Sequence, residues 1–293
     1  MTEKFHYGGQ AVIEGVMIRG RKTVVTAVRR PGGELAINTE PLPAIYTGRI
    51  RQTPLIRGIL VLIEALVLGI KTLLYSANVS LEEDEEEISG WQVVVVITVA
   101  LAFAIALFFI APLFLTKLID PYINSSLVFN LIEGFIRLAI FIAYLKLITL
   151  VPDIKRIFDY HGAEHKVINA YEDGVAPEVE AVKGYNTAHM RCGTSFLFVV
   201  LIIAILVFAL VGRPSLWLMV SSRILLIPVI ASLGYEVIRF GGNHHRNALV
   251  RVVLAPGLLL QALTTNEPDD SQLEVALAAL RQAVEVDKLQ EEA

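Results

Sequence analysis

The sequence predicts a mainly α-helical protein: a polytopic membrane bundle of about four transmembrane helices with a small N-terminal β-hairpin module and cytoplasmic helices. Bulk composition is the first reason. Of 293 residues, 55% are apolar and 18% charged, and the mean hydropathy is +0.60, which is more apolar surface than a soluble domain hides in one core. The second reason is segmental. Four stretches, 91–118, 127–151, 195–212 and 216–238, approach the ~20 residues that a helix needs to cross the hydrocarbon layer. Composition also excludes. A net charge of -4, with no basic patch interleaved with aromatics, speaks against nucleic acid as a partner. The single cysteine, Cys192, rules out an intramolecular disulfide framework and fits a reduced thiol or a metal ligand.

Residues 1–54 read as a cytoplasmic, β-containing module. Met1 to Gln10 lack a basic region followed by an apolar run and are not expected to act as a cleavable signal. Gly8 to Gly20 are punctuated by glycine without the spacing of a phosphate-binding loop. Residues 22–40 show β-type patterning on both sides of Arg30-Pro31-Gly32-Gly33, the signature of two short strands joined by a turn. The segment 55–80 is apolar but carries Arg57, Glu64 and Lys71 at intervals of seven, so the charges share one stripe and the helix is interfacial, re-entrant or packed in a bundle. The acidic run Glu82 to Glu87 reads as a solvated linker.

A first transmembrane hairpin spans 91–151 and a second 195–238, joined by the cytoplasmic, histidine-rich loop 152–194. Within the first, Glu133 and Arg137 stand i, i+4 and form a structural pair facing the bundle interior. Lys and Arg set the orientation. Nine precede Gly58, five lie in 152–194 and five follow Ile238, whereas the two hairpin connections hold none and one (Arg213). The positive-inside rule then places both termini and the central loop in the cytoplasm, in a cell inner membrane. In 239–293, Leu249 to Thr265 is interrupted by Pro256-Gly257 and is too short for a further crossing. A capping box from Ser271 to Glu274 is expected to open a terminal amphipathic helix with the apolar stripe Leu273, Leu277, Leu280 and Val284.

The chemistry concentrates in the central loop. His161-Gly162-Ala163-Glu164-His165 follows the pattern H-x-x-E-H, which on a helix sets two imidazoles one turn apart on one face, with a carboxylate beside them to act as general base. Two histidines are too few for a catalytic zinc, and His189 and Cys192, just before the third span, are candidates to complete the set. Imidazole and thiolate suit a divalent metal, zinc above all. Glu172 and Glu236 are weaker candidates, and His6, His244 and His245 read as exposed loop histidines.

Taken together, these motifs carry a likeness. Gly8 to Met17, Pro54 to Gly58, His161 to Lys166, His189 to Thr194, Tyr235-Glu236, and Pro256-Gly257 with Gln261, Thr264, Thr265, Glu267 and Pro268 resemble the YqhQ-like bacterial membrane family, a domain of unknown function labelled a predicted metal-dependent enzyme. The resemblance covers nearly the whole chain and implies metal dependence without an assigned reaction. His244 and His245 are not part of it. Two functions follow as expectations. One is a metal-dependent membrane hydrolase, with His161, His165 and His189 or Cys192 on the ion and Glu164 polarising water. The other is a non-catalytic factor in membrane-protein assembly or translocation, with a structural metal and other membrane proteins as partners. In both the lipid bilayer is a partner.

Overall fold

The computed structural model describes residues 5–81, 89–244 and 247–292. The acidic run Glu82 to Glu87 and His245 lie outside the described residues.

Four strands open the chain: β1 (Gly8–Val12), β2 (Gly15–Arg19), β3 (Thr23–Arg29) and β4 (Leu35–Pro41), forming one antiparallel sheet in the order β1-β2-β3-β4. The expected hairpin is β3–β4. Its turn closes through Arg30 N–H on Glu34 O at 2.8 Å, with Gly33 at φ +88° supplying the left-handed residue. The glycine-punctuated stretch before it is a second hairpin that periodicity did not predict, because its two strands of five residues are too short for alternation to register. The module is therefore a four-stranded sheet. β3 is buried along nearly its whole length, whereas β4 alternates between exposed and partly covered residues, as a sheet edge does.

After a short α1 (Ala44–Thr47) comes α2 (Ile56–Val79). Its charged stripe is fully paired: Arg57 Nε stands 2.7 Å from Glu236 Oε1, Glu64 meets Arg19 at 3.0 Å and also Arg51, and Lys71 meets Glu40. The stripe thus belongs to a packed helix, which runs along α10 described below. α3 (Gly90–Ile105) and α4 (Ala111–Leu118) are one long apolar helix carrying a π turn at Ala106–Ile110. α5 (Ser126–Ile148) returns and stops earlier than the expected Val151, since Pro152 starts a new helix, α6 (Pro152–Glu172), at 100° to it. A short α7 (Val179–Val182) precedes α8 (Gly193–Val211). The fourth expected span divides at Leu226, ahead of Pro228, into α9 (Leu216–Leu225) and α10 (Ile227–Asn243), bent by 45°. α11 (Ala248–Gln261) runs unbroken through Pro256, contrary to the expected interruption, and packs on α8. α12 (Asp270–Glu292) ends the described chain.

The protein is mainly helical. Among the described residues three helices, Ile56–Val79, Gly90–Leu118 and Gly193–Val211, are long and apolar enough to cross a membrane, or up to five if each bent pair, α5 with α6 and α9 with α10, counts as one span.

Two layers of helix enclose the sheet. Val16, Ile18, Val25 and Ala27 pack on Tyr160, Ala163 and Val167 of α6 and on Leu273, Leu277 and Leu280 of α12. The opposite face sets Val12, Met17, Val24 and Val28 against Leu42 and Leu68. α12 does carry the expected apolar stripe, but its capping box lies two residues earlier than read. Asp269 Oδ1 accepts from Gln272 N–H and Gln272 Oε1 accepts from Asp269 N–H, both at 2.9 Å, while Glu274 pairs with Arg29 at 3.1 Å. An aspartate after Pro268 serves as N-cap as well as serine does.

Inside the bundle the Glu133–Arg137 pair is present at 2.5 Å and has further members. Arg223 Nη2 reaches Glu133 Oε2 at 2.5 Å and Asn130 Oδ1 at 3.0 Å, and Arg137 Nε donates to the carbonyl of Phe108, in the π turn, at 2.9 Å. All four side chains are buried, and both guanidiniums stack over Phe208. At this end of the bundle Asp120 and Arg213 pair at 2.7 Å across the two connections. The sheet, α6 and α12 gather at the opposite end, where α5 stops and α8 starts.

Candidate metal centre

The H-x-x-E-H motif sits in the middle of α6, on the face turned from solvent. His165 and Glu164 are buried and His161 is partly exposed. Gly162 is dictated by contact: a Cβ there would lie 1.9 Å from the carbonyl oxygen of Asn266, so only glycine lets the segment after α11 cross α6 at this point. That crossing brings Thr264 to the site.

Each imidazole is held by a carbonyl. His161 Nδ1 lies 2.8 Å from Thr264 O, and His165 Nδ1 bonds Thr187 O. A carbonyl oxygen can only accept, so both Nδ1 atoms donate and Nε2 is the nitrogen of each ring left to face the site, the arrangement that orients metal-ligating histidines. The rings stand 4.4 Å apart between centroids.

Cys192 supplies the third atom. It is the N-cap of α8, its Sγ accepting from Thr194 N–H at 3.3 Å, and Sγ stands 3.4 Å from His161 Nε2. Ligand atoms of His161, His165 and Cys192 all lie within 4.8 Å of one another. Glu164 Oε2 is 3.5 Å from His165 Nε2.

His189 is close but faces elsewhere. Its ring centroid is 5.6 Å from that of His165, while its Nε2 lies 3.7 Å from Glu172 Oε2. Glu172 also holds Arg191, with His6 Nδ1 at 3.3 Å. Burial opposes its ionisation, but the hydrogen bond to His189 and the fields of Arg191, His189 and His6 outweigh burial and hold the carboxyl at about 2. Glu172 is thereby committed to this neighbouring network. Glu236 is committed to Arg57 and Leu55 N–H, and exposed His244 stacks on Phe240 at 4.2 Å. Neither stands in the His161, His165 and Cys192 group.

Three supporting residues, Thr264 among them, had no assigned role in the sequence. Thr187 is one. Gln261, fully buried, is another: its Oε1 accepts from His189 N–H at 2.9 Å, and its Nε2 donates to His189 O at 2.9 Å and Ser195 Oγ at 2.6 Å. It ties the chain before Cys192 to the first turn of α8. Gln261 and Thr264 stood in the motif that ends the resemblance, which was the one signal available for them.

Two imidazole nitrogens and a sulfur are a donor set that zinc would accept. A family model described as "Protein of unknown function (DUF1385)" matches residues 53–286. Uncharacterized protein YqhQ of Bacillus subtilis (strain 168) is 35% identical over 302 residues, which cover 98% of this chain and 94% of that protein. No solved structure matches.

Proposed function

The chain belongs to the DUF1385 family, and from that premise we propose that it is a metal-dependent hydrolase of the bacterial inner membrane, with zinc held by His161, His165 and Cys192 on the cytoplasmic side. One observation carries the reading: both Nδ1 protons are committed to backbone carbonyls, which turns two Nε2 lone pairs and the Cys192 sulfur toward one point. Zinc in such a set supplies Lewis acidity. Glu164, beside His165 Nε2, takes the proton of the attacking water, and the Thr264 and Thr187 carbonyls fix the imidazole planes. Gln261 holds the loop that delivers Cys192. The apolar helices and the distribution of Lys and Arg support a topology with both termini and the 152–194 segment in the cytoplasm.

The test is elemental analysis of detergent-purified protein. Wild type is expected to carry about one zinc per chain, and His161→Ala and Cys192→Ser to lose it while remaining folded. Glu164→Gln is expected to keep the metal and lose turnover. Metal-free wild type sinks the reading. Near-complete burial of His165, Glu164 and Cys192 favours one other reading, a structural metal in a non-catalytic factor for membrane-protein assembly. In that case Glu164→Gln keeps full function in cells.

A further inference from the structure

The sheet has two outer edges, β1 and β4, and they differ in chemistry. An open strand edge presents backbone N–H and C=O groups to any passing chain, and proteins ordinarily blunt it with charge or proline. β4 is blunted in this way: Glu34 precedes it, Glu40 pairs with Lys71, and Pro41 and Pro43 close it. β1 reads Gly8-Gly9-Gln10-Ala11-Val12, without charge or proline, and Gly8 and Gly9 are exposed. Its backbone bonds run to β2, and among the described residues none crosses its outer edge. In an antiparallel pair every second residue turns its N–H and C=O away from the partner strand, so β1 turns donors and acceptors outward at peptide spacing with no backbone partner among the described residues.

That row lies beside the candidate metal centre. α12 covers β2 and β3, whereas α6 packs at the β1 margin of the same face. Gly9 rests directly on the proposed base: a Cβ at this position would stand 2.8 Å from Glu164 Cγ and 2.9 Å from Glu164 Oε1. The nearby cations Lys166 and Arg191 are engaged by Glu267 and Glu172, so neither is offered to a phosphate.

We propose that the substrate of the centre is an extended polypeptide, bound as a fifth strand along the outer edge of β1; the assignment rests on the hydrolase reading above. Strand addition supplies main-chain hydrogen bonds independent of sequence and runs the peptide alongside Gly9, the residue that rests on Glu164. Hydrolysis consumes one water: the C–N bond breaks, the acyl carbon takes the hydroxyl oxygen, and the proton accepted by Glu164 passes to the leaving amine.

The experiment uses the full chain in nanodiscs, with Glu164→Gln to prevent turnover. Benzoylphenylalanine replaces either Gly8, where a Cβ would meet nothing within 4 Å, or Ile37 on β4, which is 45% exposed. Each sample is irradiated with fluorescein-labelled, reduced casein as an unfolded polypeptide probe. Capture several-fold stronger at Gly8 than at Ile37, with wild type cleaving casein, is the expected result. Equal capture at both positions, no capture at Gly8, or turnover of nanodisc phospholipid in place of casein would overturn the proposal. Zinc content measured on the same samples separates the two readings. Capture at Gly8 in metal-free protein removes the hydrolase and leaves strand addition, whereas zinc without capture does the reverse.

Discussion

Gln261 shows how a single side chain can govern a site it does not enter. Its amide makes three hydrogen bonds, to both backbone polar groups of His189 and to Ser195 Oγ, and it is fully buried. Gln261→Ala strands those partners away from water, at a cost of about 1–3 kcal/mol for each group left unsatisfied. The expected outcome is a lower Tm in detergent, with zinc affinity reduced roughly 10–100-fold, the range seen when support outside the ligand shell is lost. Competition with a fluorescent chelator reads the affinity, and an unchanged value would show that the 187–192 loop needs no clamp. Gln261→Glu keeps the acceptor for His189 N–H, so it is expected to fall between wild type and alanine.

Two helices carry their own predictions. At the start of α12, Asp269 is exposed but loses some hydration to its neighbours, which opposes its charge, while hydrogen bonds from Ser271 and from the backbone of Gln272 and Ser271 prevail and hold its carboxyl below the usual aspartate range. A pKa depressed by folding contributes stability above the unfolded value, and that contribution is lost as pH falls through the folded one. Asp269→Ala is therefore expected to cost about 1 kcal/mol at neutral pH. The difference from wild type should shrink on acidification below the aspartate range, as read by urea unfolding at several pH values. Between α5 and α9, Glu133 is the one carboxylate bonded to two buried guanidiniums, Arg137 and Arg223. Glu133→Gln leaves both without a counter-charge and is expected to destabilise the bundle by roughly 3–5 kcal/mol. Replacing Glu133, Arg137 and Arg223 together by Leu, Met and Leu should recover most of that loss in thermal unfolding. Failure to recover would mean that shape, not charge, sets the requirement.

At the scale of the whole molecule, the sheet, α6, α12 and the N-terminus of α8 lie at one end of the bundle, and the connections holding Asp120 and Arg213 lie at the other. The proposed topology puts the first end in the cytoplasm and the second outside it. Cys192, the only cysteine, is buried, so introduced cysteines report cleanly. In spheroplasts, a membrane-impermeant maleimide is expected to label Tyr122→Cys, which is 87% exposed, and to label Gly32→Cys only after lysis. The reverse pattern would invert the protein and move the metal centre to the outer face.

Local pattern was enough for much of this architecture. Apolar runs located the long helices, the turn at Arg30 to Gly33 located β3 and β4, and a period of 3.6 put His161, Glu164 and His165 on one turn of α6, since each depends only on neighbours along the chain. Tertiary structure decided the rest. It paired the short β1 with β2, bent the chain at Pro152, and brought Arg223 to Glu133 across 90 residues. It also separated two candidates three residues apart: His189 lies against Glu172, while Cys192, capping α8, sets its sulfur 3.4 Å from His161. No spacing rule could make that separation, because it rests on a carbonyl from Thr264 and a clamp from Gln261, about a hundred residues beyond the motif they support.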